Sequence, residues 1–212
     1  MIEAKICGLS DPAGVDAALA GGARYIGFVL FPRSPRHVTA EKAASLAVRA
    51  RGRADIVAVT VDADDDLLAA IATVLAPDWI QMHGAEPPAR VAGAQRHASK
   101  GIIKALGIAR AGDLAAMDAY ADVADAFLFD AKAPPEANLP GGNGAAFDWR
   151  ILRGRKVPRP WFLSGGLTAA NIAEAVAESG TGAVDVSSGV ENAPGVKDAA
   201  RIADFLAAAK AL

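Results

Sequence analysis

Short apolar runs alternate with Ala-rich amphipathic stretches along the whole chain, with a turn between each pair. The apolar runs are predicted strands: one from Ile2 that stops at Cys7-Gly8, then Arg24–Leu30, Ala54–Val61, Asp78–Met82, Gly101–Ala105, Ala126–Phe129, Trp161–Leu163 and Ala183–Val186. Most read as continuous Val, Ile, Leu and Phe, as strands buried on both faces do. The stretches between them read as helices. Ser10-Asp11-Pro12 opens the first, a capping side chain with proline just inside, and it runs to Gly21-Gly22. Thr39 caps the second, which ends near Gly52. Others span about Asp65–Leu75, Pro87–His97 and Gly112–Tyr120, then the short F-D-W-R-I-L segment, Thr168–Glu178 with Thr168 as its cap, and Lys197–Ala209.

Strict alternation of strand and helix implies a parallel sheet with helices outside it. Eight such units in 212 residues predict one α/β domain over residues 1–212, a closed (β/α)8 TIM barrel of parallel strands. An open doubly wound sheet is the alternative. Its dinucleotide-binding version would carry G-x-G-x-x-G after the first strand, and this chain does not. One stretch breaks the rhythm: Ala131–Ala146, rich in Pro and Gly, reads as a functional lid or a surface insert.

Composition narrows the class without changing the fold. Hydrophobic residues make up 52% and charged residues 22%, as in ordinary globular chains. A net charge of -2 and a pI near 5.9 give no basic field for nucleic acid or an anionic membrane. The local cluster Arg150, Arg153, Arg155, Lys156 and Arg159 reads as a solvated helix end. No apolar run is long enough to span a bilayer. The N-terminus has an early acid, Glu3, and no signal-peptide run. Cys7 is the only cysteine, which suits a reducing compartment, so a cytoplasmic protein is expected.

In a barrel the chemistry gathers at the carboxyl ends of the strands. Cys7 follows the first strand, and Arg33, Ser34, Arg36 and His37 follow the second. Asp62, Gln81 and His83, Asp130, Ser164-Gly165-Gly166, and Asp185 with Ser187-Ser188-Gly189 fall at the ends of the third, fourth, sixth, seventh and eighth. The glycine turns after strands seven and eight fit a phosphate site, where backbone N–H groups approach an anion closely. Arg36 has the fork that suits a planar carboxylate. Asp130 ends the apolar run F-L-F, and apolar surroundings raise a carboxyl's pKa toward neutrality. A helix cap or turn former is the plainer reading of Asp130. Cys7 reads either as a small buried side chain or as a base. Lys5 shares its strand face, so its ammonium would favour the thiolate or be tied up with Asp185. The run Asp62, Asp64, Asp65, Asp66 lacks the glycine and final glutamate of a calcium loop, and helix capping explains most of it. His37, His83 and His97 show no metal-ligand spacing.

With these residues in place, the sequence resembles the phosphoribosylanthranilate isomerase family of tryptophan biosynthesis, nearly end to end. The resemblance is carried in order by K-I-C-G-L at Lys5–Leu9, G-F-V-L-F-P-R-S-P-R at Gly27–Arg36 and Q-M-H-G at Gln81–Gly84. Asp130, G-G-N-G-A-A-F-D-W at Gly141–Trp149, L-S-G-G-L at Leu163–Leu167, D-V-S-S-G-V-E at Asp185–Glu191 and P-G-V-K-D at Pro194–Asp198 complete it. The chain departs from the pattern at Asn143, at Met82 and around Thr60–Asp62.

The resemblance implies an Amadori rearrangement of N-(5-phosphoribosyl)anthranilate to the corresponding 1-(2-carboxyphenylamino)-1-deoxyribulose 5-phosphate. It implies Asp130 as general acid, Cys7 as general base and Arg36 on the anthranilate carboxylate. It puts the phosphate on Gly165, Gly166, Ser187, Ser188 and Gly189, with His83, Asp185 and Gly142 completing the pocket. It implies a small phosphosugar partner, no metal or redox cofactor, and a monomer or homodimer. Two alternatives stay open. One is another phosphosugar barrel enzyme: indole-glycerol-phosphate synthase, for which Lys104 would be the catalytic lysine though no second lysine joins it, or a pentose-phosphate epimerase, whose His/Asp metal set the sequence lacks. The other is a non-catalytic phosphosugar-binding barrel, which would need neither Cys7 nor Asp130.

Overall fold

Each apolar run forms a strand because its two faces meet different neighbours, one the barrel interior and the other the helix layer. The computed structural model describes residues 2–133, 141, 144 and 146–212. Eight strands pair in parallel and in chain order: β1 (Glu3–Cys7), β2 (Tyr25–Val29), β3 (Asp55–Thr60), β4 (Trp79–Met82), β5 (Gly101–Ile108), β6 (Ala126–Ala131), β7 (Trp161–Leu163) and β8 (Ala183–Val186). β8 pairs back onto β1, with Lys5 beside Asp185, and the barrel closes. The expected (β/α)8 barrel is therefore the fold.

The side-chain period of two sorts every strand. Ile56 and Ala58 of β3, and Phe127 and Phe129 of β6, belong to the core shared with the helices. Cys7, Val29, Val57, Val59, Ile103, Ala105, Leu128 and Phe162 fill the barrel interior. Lys5, Asp130 and Asp185 share the inward parity of Cys7, Leu128 and Ala183 on their own strands. Lys104 has the outward parity of Ile102 and Leu106, which already separates it from the barrel's chemistry.

The helix layer comprises α1 (Pro12–Ala20), α2 (Ala40–Ala47), α3 (Asp65–Val74), α4 (Pro88–Ala94), α5 (Ile172–Ser179) and α6 (Ala199–Lys210). Asp11 caps α1 by accepting from Gly14 N, Thr39 caps α2 and Asp64 caps α3. Several boundaries differ from expectation. Ala111–Tyr120 is a 3-10 helix, with Leu114 its one buried side chain, so no apolar stripe holds it to the α period. Asn171, not Thr168, precedes α5; its Oδ1 accepts from Thr168 N and its Nδ2 donates to Gly166 O. The last helix starts at Ala199, because Asp198 caps it and Lys197 lies in a strand. That strand, β10 (Val196–Lys197), pairs antiparallel with β9 (Glu191–Ala193) in a small hairpin that is not among the predicted strands.

Arg150, Arg153, Arg155, Lys156 and Arg159 are exposed, as expected of a solvated helix end. Among the described residues, no helix is long and apolar enough to cross a membrane.

Candidate active site

A cleft opens at the carboxyl ends of the strands and encloses about 830 Å³ counting its mouth. Cys7, Arg36, His83, Asp130, Gly165, Gly166, Asp185, Ser187, Ser188 and Gly189 all line it. Gly142 and the inner part of the Ala131–Ala146 stretch lie outside the described residues. The walls also contain Val29, Phe31, Val59, Val61 and Leu167, an apolar lining that the strand pattern implied but sequence reasoning did not single out. Gln81 lines it too, almost wholly buried, with its Oε1 lacking a hydrogen-bond partner among the described residues.

Cys7 is at the end of β1, one side of the barrel mouth. Its neighbour on the same face, Lys5, is completely buried, and Lys5 Nζ is 2.8 Å from Asp185 Oδ1. Asp185 Oδ2 accepts from Ser164 Oγ at 3.3 Å. Gly27 leaves the room these groups need: a Cβ there would lie 3.2 Å from both Cys7 Sγ and Lys5 Nζ. Burial alone would lower the Lys5 pKa, but Asp185 and then Cys7 outweigh it and raise it, so the ammonium persists. Burial pushes the Cys7 thiol up. Lys5 pulls the other way and Asp185 adds to the rise, so the net shift is upward. The expected gain in thiolate from Lys5 is thus real but smaller than the cost of desolvation, and Lys5 is also tied to Asp185.

Asp130 stands three strands away from Cys7 by way of β8 and β7, on the far side of the mouth. It is buried; its Oδ1 accepts from Ala131 N at 2.9 Å, and His83 Nε2 lies 3.4 Å from its Oδ2. Gln81 Nε2 lies 3.2 Å from His83 Nδ1, so an amide, an imidazole and a carboxyl form one row. Glycines flank the carboxyl. A Cβ at Gly141 would lie 2.6 Å from Asp130 Oδ2, and one at Gly165 3.2 Å from Oδ1.

The two glycine turns interlock. Gly165 and Gly166 have φ of 92° and 64°, a left-handed backbone that turns the chain at the cleft wall. A Cβ at Gly189 would lie 1.9 Å from Leu167 O, so the turn after β8 sits directly on the turn after β7.

Arg36 is buried, not a surface arginine. Its Nε and Nη2 donate to Glu191 Oε1 and Oε2 at 2.7 and 2.9 Å. Lys104 is buried as well, and its Nζ donates to Met82 O, Gly84 O and Glu86 Oε2 at 3.2, 2.7 and 2.7 Å. It holds the loop after β4 beneath the helix layer, away from the cleft lining, so the synthase alternative loses its lysine. Two of the four aspartates of the run bond the backbone, Asp62 Oδ1 accepting from Ala85 N and Asp64 Oδ1 from Leu67 N, and Asp65 pairs with Arg90.

Residues 4–208 match the family model described as N-(5'phosphoribosyl)anthranilate (PRA) isomerase. The N-(5'-phosphoribosyl)anthranilate isomerase of Nitrobacter hamburgensis is 54% identical over 207 residues, covering 98% of this chain and 92% of that protein. The relative of the same name from Rhodopseudomonas palustris is 54% identical over 210 residues, with 99% and 96% covered. Among solved structures, the phosphoribosyl anthranilate isomerase of Thermotoga maritima superposes with a TM-score of 0.89 at 30% identity, each chain covered completely. A phosphoribosyl anthranilate isomerase in complex with reduced 1-(o-carboxyphenylamino)-1-deoxyribulose 5-phosphate gives 0.86 at 29% identity, again with full coverage of both. The barrel, the cleft and these similarities agree: the chain belongs to the N-(5'-phosphoribosyl)anthranilate isomerase family.

Proposed function

We infer that this protein is an isomerase of tryptophan biosynthesis that converts N-(5-phosphoribosyl)anthranilate to 1-(2-carboxyphenylamino)-1-deoxyribulose 5-phosphate. The observation that carries the site assignment is a thiol and a carboxyl on opposite sides of one cleft, Cys7 on β1 and Asp130 on β6. Substrate and product are isomers, so the protein has only to move protons between atoms of a held sugar.

Asp130 gives its proton to the ribose ring oxygen as the C1–O bond breaks, leaving an open-chain iminium. The Asp130 carboxylate then rests against Ala131 N–H and the His83 ring. Cys7, as thiolate, takes the proton from C2 and yields an enolamine. The enolamine then tautomerises, C1 gaining one proton and the C2 hydroxyl losing one to give the ketone, and exchange with solvent returns Asp130 to the acid and Cys7 to the thiolate. Lys5 sits beside Cys7 and stabilises the thiolate, while burial keeps its resting population small. Arg36 receives the anthranilate carboxylate, and the turns at Gly165-Gly166 and Ser187–Gly189 receive the phosphate. Clamping both charged ends fixes C2 and the ring oxygen between base and acid. Phe31, Val29, Val59 and Val61 give the anthranilate ring an apolar wall.

The chemistry calls on no cofactor, and every assigned group comes from one chain, so a monomer or a homodimer would carry it. A reducing cytoplasm keeps Cys7 as a thiol, and we place the protein there. The test is conversion of phosphoribosylanthranilate generated in place, followed by loss of its fluorescence. Turnover with a primary isotope effect from deuterium at C2 is expected; no conversion above the uncatalysed rate would refute the assignment.

A further inference from the structure

Two charged residues near the end of the chain, Glu191 and Lys197, belong to motifs of the family resemblance yet have no part in the chemistry above. Both are buried. The β9–β10 hairpin exists to bring them together, since its register sets Lys197 opposite Glu191. The same hairpin rests on the loop that carries Arg36: a Cβ at Gly195 would lie 2.4 Å from Pro35 O.

We propose that Glu191 is a positioning residue that holds both anion-binding ends of the cleft at once, Arg36 directly and the Ser187 turn through Lys197. Its two oxygens take Arg36 Nε and Nη2 at 2.7 and 2.9 Å, which fixes the plane of the guanidinium. Its Oε1 also takes Lys197 Nζ at 2.7 Å. That ammonium donates onward to Ser187 O at 2.8 Å and to Ser187 Oγ at 3.2 Å. Ser187 Oγ in turn donates to Cys7 O at 3.1 Å, so the chain of contacts ends at the backbone of the proposed base. Gly8 makes room where the two arms converge; a Cβ there would lie 2.6 Å from Arg36 Cδ and 3.2 Å from Ser187 Oγ.

The electrostatics explain why a carboxylate belongs here. Two buried cations beside a cleft for a substrate with a carboxylate and a phosphate repel each other and lose hydration. One shared carboxylate offsets both costs and still leaves a surplus positive charge for the substrate. Burial would raise the Glu191 pKa, but Arg36 and Lys197 hold it below the ordinary range, so the carboxylate stays charged. The proposal rests on the isomerase reading, because that reading puts the carboxylate on Arg36 and the phosphate at Ser187.

The experiment measures turnover and competitive inhibition by two fragments, anthranilate for one end and ribose 5-phosphate for the other. Glu191→Gln should raise the inhibition constants of both fragments about tenfold, the loss of a charged hydrogen bond at each end. It should raise KM more than it lowers kcat. Arg36→Met should weaken anthranilate alone. A rise for anthranilate only, for neither fragment, or a fall in kcat with KM unchanged would overturn the proposal. If Glu191→Gln does not fold, Lys197→Gln replaces it. That variant must weaken ribose 5-phosphate more than anthranilate, and equal or absent effects overturn the proposal. Wild-type turnover is the control that separates this failure from failure of the isomerase assignment.

Discussion

Replacing Lys5 by Met and, separately, Asp185 by Asn should move the alkaline behaviour of the enzyme in opposite directions. Lys5 is the ammonium beside Cys7, and Asp185 is the carboxylate paired with it at 2.8 Å. A unit charge about 4 Å away, at an effective dielectric of about 20, is worth roughly 4 kcal/mol. Asp185 opposes part of that at the thiol, because its push is upward and smaller than the pull of Lys5. With screening and relaxation around the charge, removing Lys5 alone is worth roughly 1.4–3 kcal/mol at the thiol, which is about a ten- to hundredfold change in thiolate at fixed pH. A thiol in the role proposed for Cys7 works deprotonated, so its active fraction grows as pH rises through the thiol pKa. In wild type that pKa is already raised by burial, so kcat/KM should still be climbing above about pH 8.5, the ordinary thiol value. Lys5→Met raises it further: the limb moves to higher pH, and kcat/KM at pH 7 falls about ten- to hundredfold. Asp185→Asn removes an anion and moves the limb to lower pH. The Lys5 variant also leaves a buried carboxylate with Ser164 as its remaining partner. Breaking such a pair costs about 3–5 kcal/mol. The assay is kcat/KM from pH 6 to 10 on each variant, with thermal melts as the folding control. Limbs that move the same way in both variants, or a wild-type plateau below pH 7, would refute the reasoning.

Two further outcomes follow from the geometry around Asp130 and the β4 loop. Gly165→Ala places a Cβ 2.8 Å from Ala131 N, at a φ of 92°. It should cost about 1–3 kcal/mol in strain and lower kcat at least about tenfold by displacing the acid, and unchanged kcat would count against that role. Lys104→Met takes the cation from the buried Glu86, which keeps Asp62 N and Gly84 N as donors, and should cost about 3–5 kcal/mol by denaturant unfolding, whereas Lys104→Met with Glu86→Leu should cost less than the two single losses added. Strictly additive losses would contradict the ion-pair account.

Much of this molecule is legible in its sequence, because strand burial on two faces and the period of two are local properties. They placed all eight strands, and the shared face of Lys5 and Cys7 followed. The end of β6 was less visible: Asp130 and Ala131 belong to the strand, since Gly107 and Ile108 of a longer β5 pair with them. What could not be read depends on partners far apart in the chain. Arg36 meets Glu191 across 155 positions, and nothing near R-S-P-R says that its fork is already engaged. The β9–β10 hairpin spans a few residues and has too short a pattern to register. The balance at Cys7 also escaped, because the sequence shows a lysine on the same face but not the degree of burial that overrides it.

The most direct test of the central claim is turnover by Cys7→Ala and Asp130→Asn, measured beside binding of reduced 1-(o-carboxyphenylamino)-1-deoxyribulose 5-phosphate. Each variant should lose about 10²–10⁴-fold in kcat while still binding that analogue, because each removes a proton-transfer group and leaves the anion clamps in place. Turnover close to wild type in either variant would contradict the claim that these two groups share the chemistry across the cleft.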